Sequence, residues 1–278
     1  MTIEDYLSRI GLKERPAPNL EGLGALHRAH LLAIPYENLD VQLGRPLTIE
    51  RPPIFDKIVR HRRGGWCYEM NGLLGWALDE LGFRVTRATG AVMRELAGDA
   101  MAGNHLVLKV ELDEGVYLAD VGFGDGPLEP IQVTAGPFSD GRFEFALSRA
   151  DGEWWRFHNH PAGGAKSFDF RLAPSDESLF AEKCAFLQTS ETSPFVQNLV
   201  CQRHTKEGLS ILRGRVLRTV TPQGASERLL ESERELVAAL GDTFALDVPE
   251  ARTLWPKICS RHEALFAAAR SLENRTDD

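Results

Sequence analysis

Over the first 82 residues, apolar positions recur every three or four residues, the period of helices that each bury one face. Stretches at 3–11, 20–33 and 53–62 predict three amphipathic helices, and a fourth begins near Cys67. Asn19 is placed to cap the second, and Pro52-Pro53 stands where a helix start tolerates proline. In the fourth, Cys67, Asn71, Leu74, Leu78 and Leu81 share a face and Gly82 supplies a stop, so Cys67 is expected to point inward. From about 83 the chain changes to short β-rich runs separated by Gly, Asp and Pro: 83–94, 104–112, 116–121, 129–134, 142–149, 153–159 and 167–171. Strands at this spacing predict a small antiparallel barrel or sandwich. A helix at 176–187, strands at 195–203 and 209–220, helices within 230–240 and 255–272, and a frayed tail from Asn274 to Asp278 complete the expectation.

The 278 residues suffice for a large core and two or three sub-domains. No apolar run approaches the ~18 residues of a membrane span. The start, Met1-Thr2-Ile3-Glu4-Asp5, has no signal-peptide pattern, and a cytoplasmic protein is expected. A net charge of -8 argues against a general nucleic-acid binder. The short run Arg60-His61-Arg62-Arg63 reads as a solvated helix end or a local anion contact. The four cysteines, Cys67, Cys184, Cys201 and Cys259, contain no Cys-x-x-Cys pair, so neither a disulfide framework nor a zinc ribbon is indicated. Cys201-x-x-His204, His27-x-x-His30 and His158-x-His160 are lone pairs without partners of metal-site spacing; surface or capping histidines are expected, and no metal.

The most informative segment is Arg63-Gly64-Gly65-Trp66-Cys67-Tyr68-Glu69-Met70-Asn71, a cysteine between a flexible Gly-Gly pair and a helix. Unpaired N–H groups and the macrodipole at a helix start favour an anion, and the thiolate is the nucleophilic form of cysteine. Such a nucleophile needs a base and a group that orients the base. In the strand 104–110, His105, Val107 and Lys109 share a face; in 116–121, Leu118 and Asp120 do. The intervening Leu112-Asp113-Glu114-Gly115 is a hairpin-turn composition. With Asp113-Glu114 as the loop, Leu112 faces Gly115 and Asp120 falls opposite Val107, on the face of His105 and one diagonal step away. A three-residue loop would send Asp120 to the other face. Taken singly, each residue also has a plain structural reading: a small buried hydrophobe, a satisfied strand histidine, a turn-forming aspartate.

These segments together resemble the arylamine N-acetyltransferase family. Arg63 to Asn71 is similar to its Arg-Gly-Gly-x-Cys-x-Glu-x-Asn signature, His105 to Val110 to its His-x-x-Leu-x-Val strand, and Asp120-Val121-Gly122-Phe123-Gly124 to its Asp-Val-Gly-Phe-Gly loop. Ile34-Pro35-Tyr36-Glu37-Asn38-Leu39 matches another family segment, with Tyr in place of Phe. The likeness is strong to about residue 125 and looser through Pro194–Asn198 and Gly208–Leu217.

The resemblance implies an α+β fold with a cysteine-protease-like core: a helical domain (1–82) carrying the nucleophile, an antiparallel β-barrel domain (83–187) carrying His and Asp, and an α/β lid (188–278). It implies Cys67, His105 and Asp120 as a catalytic triad. Acetyl-CoA is implied as co-substrate, with no tightly bound cofactor, and the acceptor as an arylamine, arylhydrazine or arylhydroxylamine. Tyr36 and Phe123 look like lining for the aromatic acceptor, Gly103 and Asn104 resemble a stretch near CoA, and Arg63 with Glu37 looks like a structural ion pair. The Tyr68 N–H is a candidate oxyanion donor. The same triad would also suit a thiol hydrolase or amide synthase, and a silent triad a non-catalytic aromatic or CoA binder. The oligomeric state and the physiological acceptor are not legible in the sequence.

Overall fold

A computed structural model describes residues 1–276, with side chains described as far as Leu265. The first region is mainly helical: α1 (Ile3–Arg9), α2 (Leu20–Ala33), a short α3 (Leu39–Gln42), α4 (Arg51–Phe55) running into one π-helical turn over Asp56–Arg60, and α5 (Cys67–Glu80). The Asn19 side chain caps α2 by accepting from Gly22 N at 2.9 Å, and Pro52 and Pro53 begin α4, where a missing N–H costs nothing. α5 is buried from Cys67 through Leu78, wedged between Phe55, whose ring meets Trp76 edge-on at 5.4 Å, and the strand residues Leu108 and Val110. Each fully buried Leu or Phe here stabilises by about 1.5–3 kcal/mol. The helix carrying Cys67 is therefore a fixed part of the core.

The first region also contributes one short strand, β1 (Tyr36–Glu37). Eight more build the middle of the chain: β2 (Arg84–Val92), β3 (His105–Leu112), β4 (Gly115–Ala119), β5 (Ile131–Gln132), β6 (Gly136–Ser139), β7 (Glu144–Arg149), β8 (Trp155–His158) and β9 (Ser167–Pro174), with a short helix α6 (Arg94–Ala97) after β2. They pair antiparallel in the order β5-β4-β3-β2-β9-β8-β7-β6. β5 and β6 are opposite edges of this sheet, yet only residues 133–135 separate them, a reach of roughly 10–14 Å. The sheet must curl until its edges approach, and the resulting half-barrel is closed by chain connectivity. Phe145, Phe157, Phe168 and Phe170 fill it.

After α7 (Glu177–Thr189) and α8 (Pro194–Gln197) come β10 (Val200–His204), β11 (Leu209–Arg213), β12 (Val216–Thr221) and β13 (Gly224–Leu229), then α9 (Glu233–Asp242), a 3-10 turn over Pro249–Leu254 and α10 (Trp255–Thr276). The second sheet has the order β1-β10-β11-β12-β13. Leu212 and Leu217 on one face pack against Leu236, Leu240 and Phe244.

Four expectations are corrected. The strand expected over 195–203 starts at Val200, because Ser193 caps a helical turn at Phe195 N and Pro194 fits its first position. The single strand expected over 209–220 is a hairpin that turns at Gly214, whose φ is +58°. Strands β6 and β13 were not expected; every residue of β13 is exposed, so no buried face marks it. The helix α10 runs to Thr276, and the remainder of the expected tail lies outside the described residues.

Candidate active site

The loop before α5 is pinned from both sides. Gly65 N donates to Pro35 O and Glu37 N to Gly65 O, at 3.3 and 2.9 Å, while Tyr36 and Glu37 pair on their other edge with Gln202 and Cys201 of β10. Beneath the loop lies a buried charge network. Arg63 Nη2 bonds Glu37 at 2.8 Å and Asp40 at 3.1 Å, and Lys57 Nζ bridges Asp40 at 2.9 Å and Glu69 at 2.8 Å. Glu69 in turn accepts from Trp66 N at 3.2 Å, capping the first turn. Lys57 and Arg63 hold the Asp40 carboxyl below its usual range against the opposing effect of burial. The pairing of Arg63 with Glu37 expected from the sequence is part of this scaffold. Glu69 N and Met70 N donate to Trp66 O, which leaves the Cys67 and Tyr68 N–H groups without an acceptor among the described residues.

Leu112 faces Gly115 and Leu108 faces Ala119, so the hairpin loop has two residues and Asp120 follows on the His105 face. There His105 Nε2 meets Asp120 Oδ2 at 2.7 Å, both side chains almost fully buried. The ring's other nitrogen, Nδ1, is left for the thiol. Burial disfavours an imidazolium here, but Asp120 and then Cys67, by hydrogen bond and charge, outweigh it and push the ring up to about 10. Burial likewise opposes the Asp120 anion, and His105, Asn71 and the Gly122 N–H overcome it, holding the carboxyl below its usual range. Cys67 Sγ also lies 3.8 Å from Asn104 O.

Two glycines permit the close approach. A Cβ on Gly122 would stand 2.7 Å from Cys67 Cα, and one on Gly90 would stand 2.9 Å from His105 Cδ2. The rings of Phe123 and Phe168 meet His105 edge-on at 5.9 and 5.1 Å, and buried Tyr36 packs in the cluster of Cys67, Trp66 and Tyr68. Burial first, and then the nearby Cys67 and acidic groups, raise the Tyr36 phenol. The structure thus brings Tyr36 into the cluster of the thiol and Phe123 against the His105 ring. Gly103 and Asn104 have local work: Gly103 O accepts from the Tyr68 hydroxyl at 2.6 Å, and the Asn104 amide bonds both backbone groups of Val92, at 2.8 and 3.1 Å.

Comparisons with known proteins agree on one family. A family model described as N-acetyltransferase matches residues 19–253. Arylamine N-acetyltransferase of Mycolicibacterium smegmatis is 36% identical over 266 residues, covering 89% of this chain and 93% of that one. The chain belongs to the arylamine N-acetyltransferase family. It is an enzyme, an acyltransferase. Among solved structures, a Mycobacterium smegmatis N-arylamine acetyltransferase superposes with a TM-score of 0.84 at 33% identity, covering 93% of this chain and 98% of that one. The Mycobacterium marinum arylamine N-acetyltransferase, solved in complex with CoA, gives 0.83 at 31% identity, covering 94% and 98%.

Sequence reasoning missed two residues that build this acetyltransferase site. Asn71 Nδ2 donates to Asp120 Oδ1 at 2.7 Å and its Oδ1 accepts from Val121 N at 2.9 Å. Its position four residues after Cys67 on one helix face was the available signal. His27 Nδ1 bonds Leu128 O at 2.8 Å and its Nε2 accepts from Asp120 N at 3.2 Å. Since a carbonyl only accepts, the proton of the neutral ring sits on Nδ1. The expectation that the paired histidines are surface or capping groups is corrected: His27, His30, His160 and His204 are buried. His30 instead bonds the Tyr6 hydroxyl at 2.9 Å. No metal-holding cluster of three such groups occurs among the described residues, and no helix among them is long and apolar enough to cross a membrane.

Proposed function

We propose that the protein transfers an acetyl group from acetyl-CoA to arylamines, arylhydrazines or arylhydroxylamines by a ping-pong route through an acetyl-Cys67 intermediate. The supporting observation is the hydrogen-bonded His105–Asp120 pair beside the thiol at the start of α5. The His105 ring is held charged at neutral pH beside Cys67, and the form of cysteine that reacts is the thiolate. The Cys67 sulfur attacks the acetyl carbonyl, the carbon–sulfur bond to CoA breaks, and His105 gives its proton to the departing CoA sulfur. The Tyr68 N–H at the helix start is suited to receive the developing oxyanion.

Acetylation removes the charge on Cys67, one of the influences that raise the His105 ring. The imidazole becomes a better base at the step that needs one. The acceptor nitrogen then attacks the thioester, His105 takes its proton, and the Cys67 thiolate leaves, restoring the initial pair. Asp120 holds the ring through Nε2 throughout. Tyr36, Phe123 and Phe168 offer an apolar surface for a flat acceptor ring.

Stopped-flow detection of free CoA provides the test. Mixing with acetyl-CoA alone should give a burst stoichiometric with enzyme, and addition of an anisidine should give steady turnover. Cys67→Ala should show neither. Turnover persisting in that variant would overturn the mechanism, and rapid continuous CoA release without amine would indicate a hydrolase.

A further inference from the structure

Beyond Ala119 the chain leaves both of its strand neighbours: β4 pairs with β3 as far as Ala119 and with β5 as far as Leu118. The next three residues are buried, and their amides need acceptors from elsewhere, because an unmet N–H is costly in a core. Each finds a side chain. Asp120 N donates to His27 Nε2 at 3.2 Å, Val121 N to Asn71 Oδ1 at 2.9 Å, and Gly122 N to Oδ1 of the Asp120 carboxylate at 2.8 Å. Two of these acceptors belong to the immediate surroundings of the thiol: Asn71 stands one turn from Cys67 on α5, and Asp120 is the partner of His105. His27 reaches in from α2.

His27 does more than accept. Its Nδ1 donates to Leu128 O at 2.8 Å, so one ring joins the backbone at both ends of the segment 120–128, which carries Asp120 and Phe123. The bridge works in one protonation state only. A carbonyl can only accept, which puts the proton on Nδ1, and an amide N–H can only donate, which requires a bare Nε2. The ring is fully buried, and burial lowers its pKa against the opposing pull of Leu128 O and the Asp120 and Glu129 carboxylates, leaving it neutral at pH 7. A void of about 10 Å³, lined among others by His27, Asp120 and Phe123, is the free space beside the bridge. It has room for no more than a single water, so solvent does not stand in for the ring.

The consequence falls on the carboxylate. Asn71 and Gly122 hold Asp120 Oδ1, and Oδ2 meets His105 at 2.7 Å. Those contacts keep their aim only while the backbone bearing the carboxylate is itself fixed. Building on the acetyl-transfer reading above, we propose that His27 is a positioning residue for that reaction: its neutral ring, protonated at Nδ1, ties Asp120 N to Leu128 O and thereby aims Asp120 at His105.

The test separates the two ends of the bridge. In His27→Gln the amide oxygen can stand where Nε2 stood and accept from Asp120 N, with no donor left for Leu128 O. In His27→Asn the amide nitrogen stands where Nδ1 stood and donates to Leu128 O, with no acceptor left for Asp120 N. Each variant loses one hydrogen bond, so a role in stability alone predicts similar effects for both. Three quantities are compared: the rate of the CoA burst, the rate of Cys67 alkylation by iodoacetamide, and the NMR titration of the His105 ring. His27→Asn should lower both rates about tenfold or more and bring the His105 ring down from about 10, while His27→Gln stays within about threefold of the wild type. Equal losses in the two variants, a larger loss in His27→Gln, or no loss in His27→Asn would overturn the proposal. The wild type supplies a check that needs no variant to fold: nitrogen-15 NMR at pH 7 should place the His27 proton on Nδ1, and a ring protonated at Nε2 would overturn the bridge. If acetyl-CoA gives no burst with the wild type, acetyl transfer is the reading that fails, and alkylation and the His105 titration still judge His27.

Discussion

At the scale of single residues, the most consequential quantity is the proton on His105. Its ring is fully enclosed, so without partners it would be neutral at pH 7; Asp120 and Cys67 reverse that and bring it to about 10. Removing each partner should act in sequence. By NMR, the His105 ring should titrate well above its ordinary value in the intact protein, lower in Cys67→Ala, and lower again in Asp120→Asn, where Cys67 alone is left to oppose burial. A ring that titrates normally in all three would remove the basis of the ion pair. Asn71 supports the same proton indirectly by holding Asp120 Oδ1. Asn71→Ala, which strips one hydrogen bond from a buried carboxylate, should lower kcat tenfold to a hundredfold, from about 1–3 kcal/mol, with KM for the acceptor little changed. Thiol reactivity offers another check. Burial pushes Cys184 up to about 12 and raises Cys201 as well, so iodoacetamide at pH 7 should modify Cys67 well before either, and equal labelling would contradict an activated thiol.

At the scale of elements, the network of Arg63, Glu37, Asp40, Lys57 and Glu69 is the device that fixes the start of α5. Lys57→Met leaves Asp40 and Glu69 without their shared cation in a buried setting. It should cost roughly 3–5 kcal/mol, read as a lower urea midpoint. Helices and strands with one buried face were legible: the fourth helix from its three- and four-residue spacing, and the β3–β4 hairpin down to its register, because side-chain parity ties Asp120 to the face of His105. β13 was not legible, since all its residues are exposed and its pairing with β12 is a backbone affair. Nor was the role of His27, whose partners Leu128 and Asp120 lie about a hundred residues away. Local spacing contains nothing about contacts of that range. The scaffold around Cys67 was read only through Arg63 and Glu37, because the contacts of Lys57 with Asp40 and Glu69 join separate segments of the chain.

For the whole molecule, the titrating groups define a window of stability. His160 and His204 are held neutral mainly by burial, at about 4 and 3, and His27 is lowered as well. Their contribution is complete above the unfolded value of 6.5 and is lost as pH falls below it toward those folded values. His105 runs the other way: its raised value stabilises fully below 6.5, and that contribution disappears as pH climbs to about 10. Asp125, raised to about 6 by burial, partly offsets the acid loss. Urea midpoints should therefore peak near neutrality and fall on both sides, and Cys67→Ala should flatten the alkaline side. A profile still rising at pH 9 would contradict this balance.

The pairing of Tyr36 and Glu37 with Gln202 and Cys201 has a consequence in time as well as in space. A chain emerging from the ribosome carries Cys67, His105 and Asp120 long before residue 200 exists, and until β10 arrives the strand that braces the Gly64-Gly65 loop has one edge open. A nascent or truncated chain ending near residue 190 holds all three reactive groups without the brace that aligns them. On the proposed mechanism, such a fragment should show no acetyl transfer, and activity should appear only in chains that include β10.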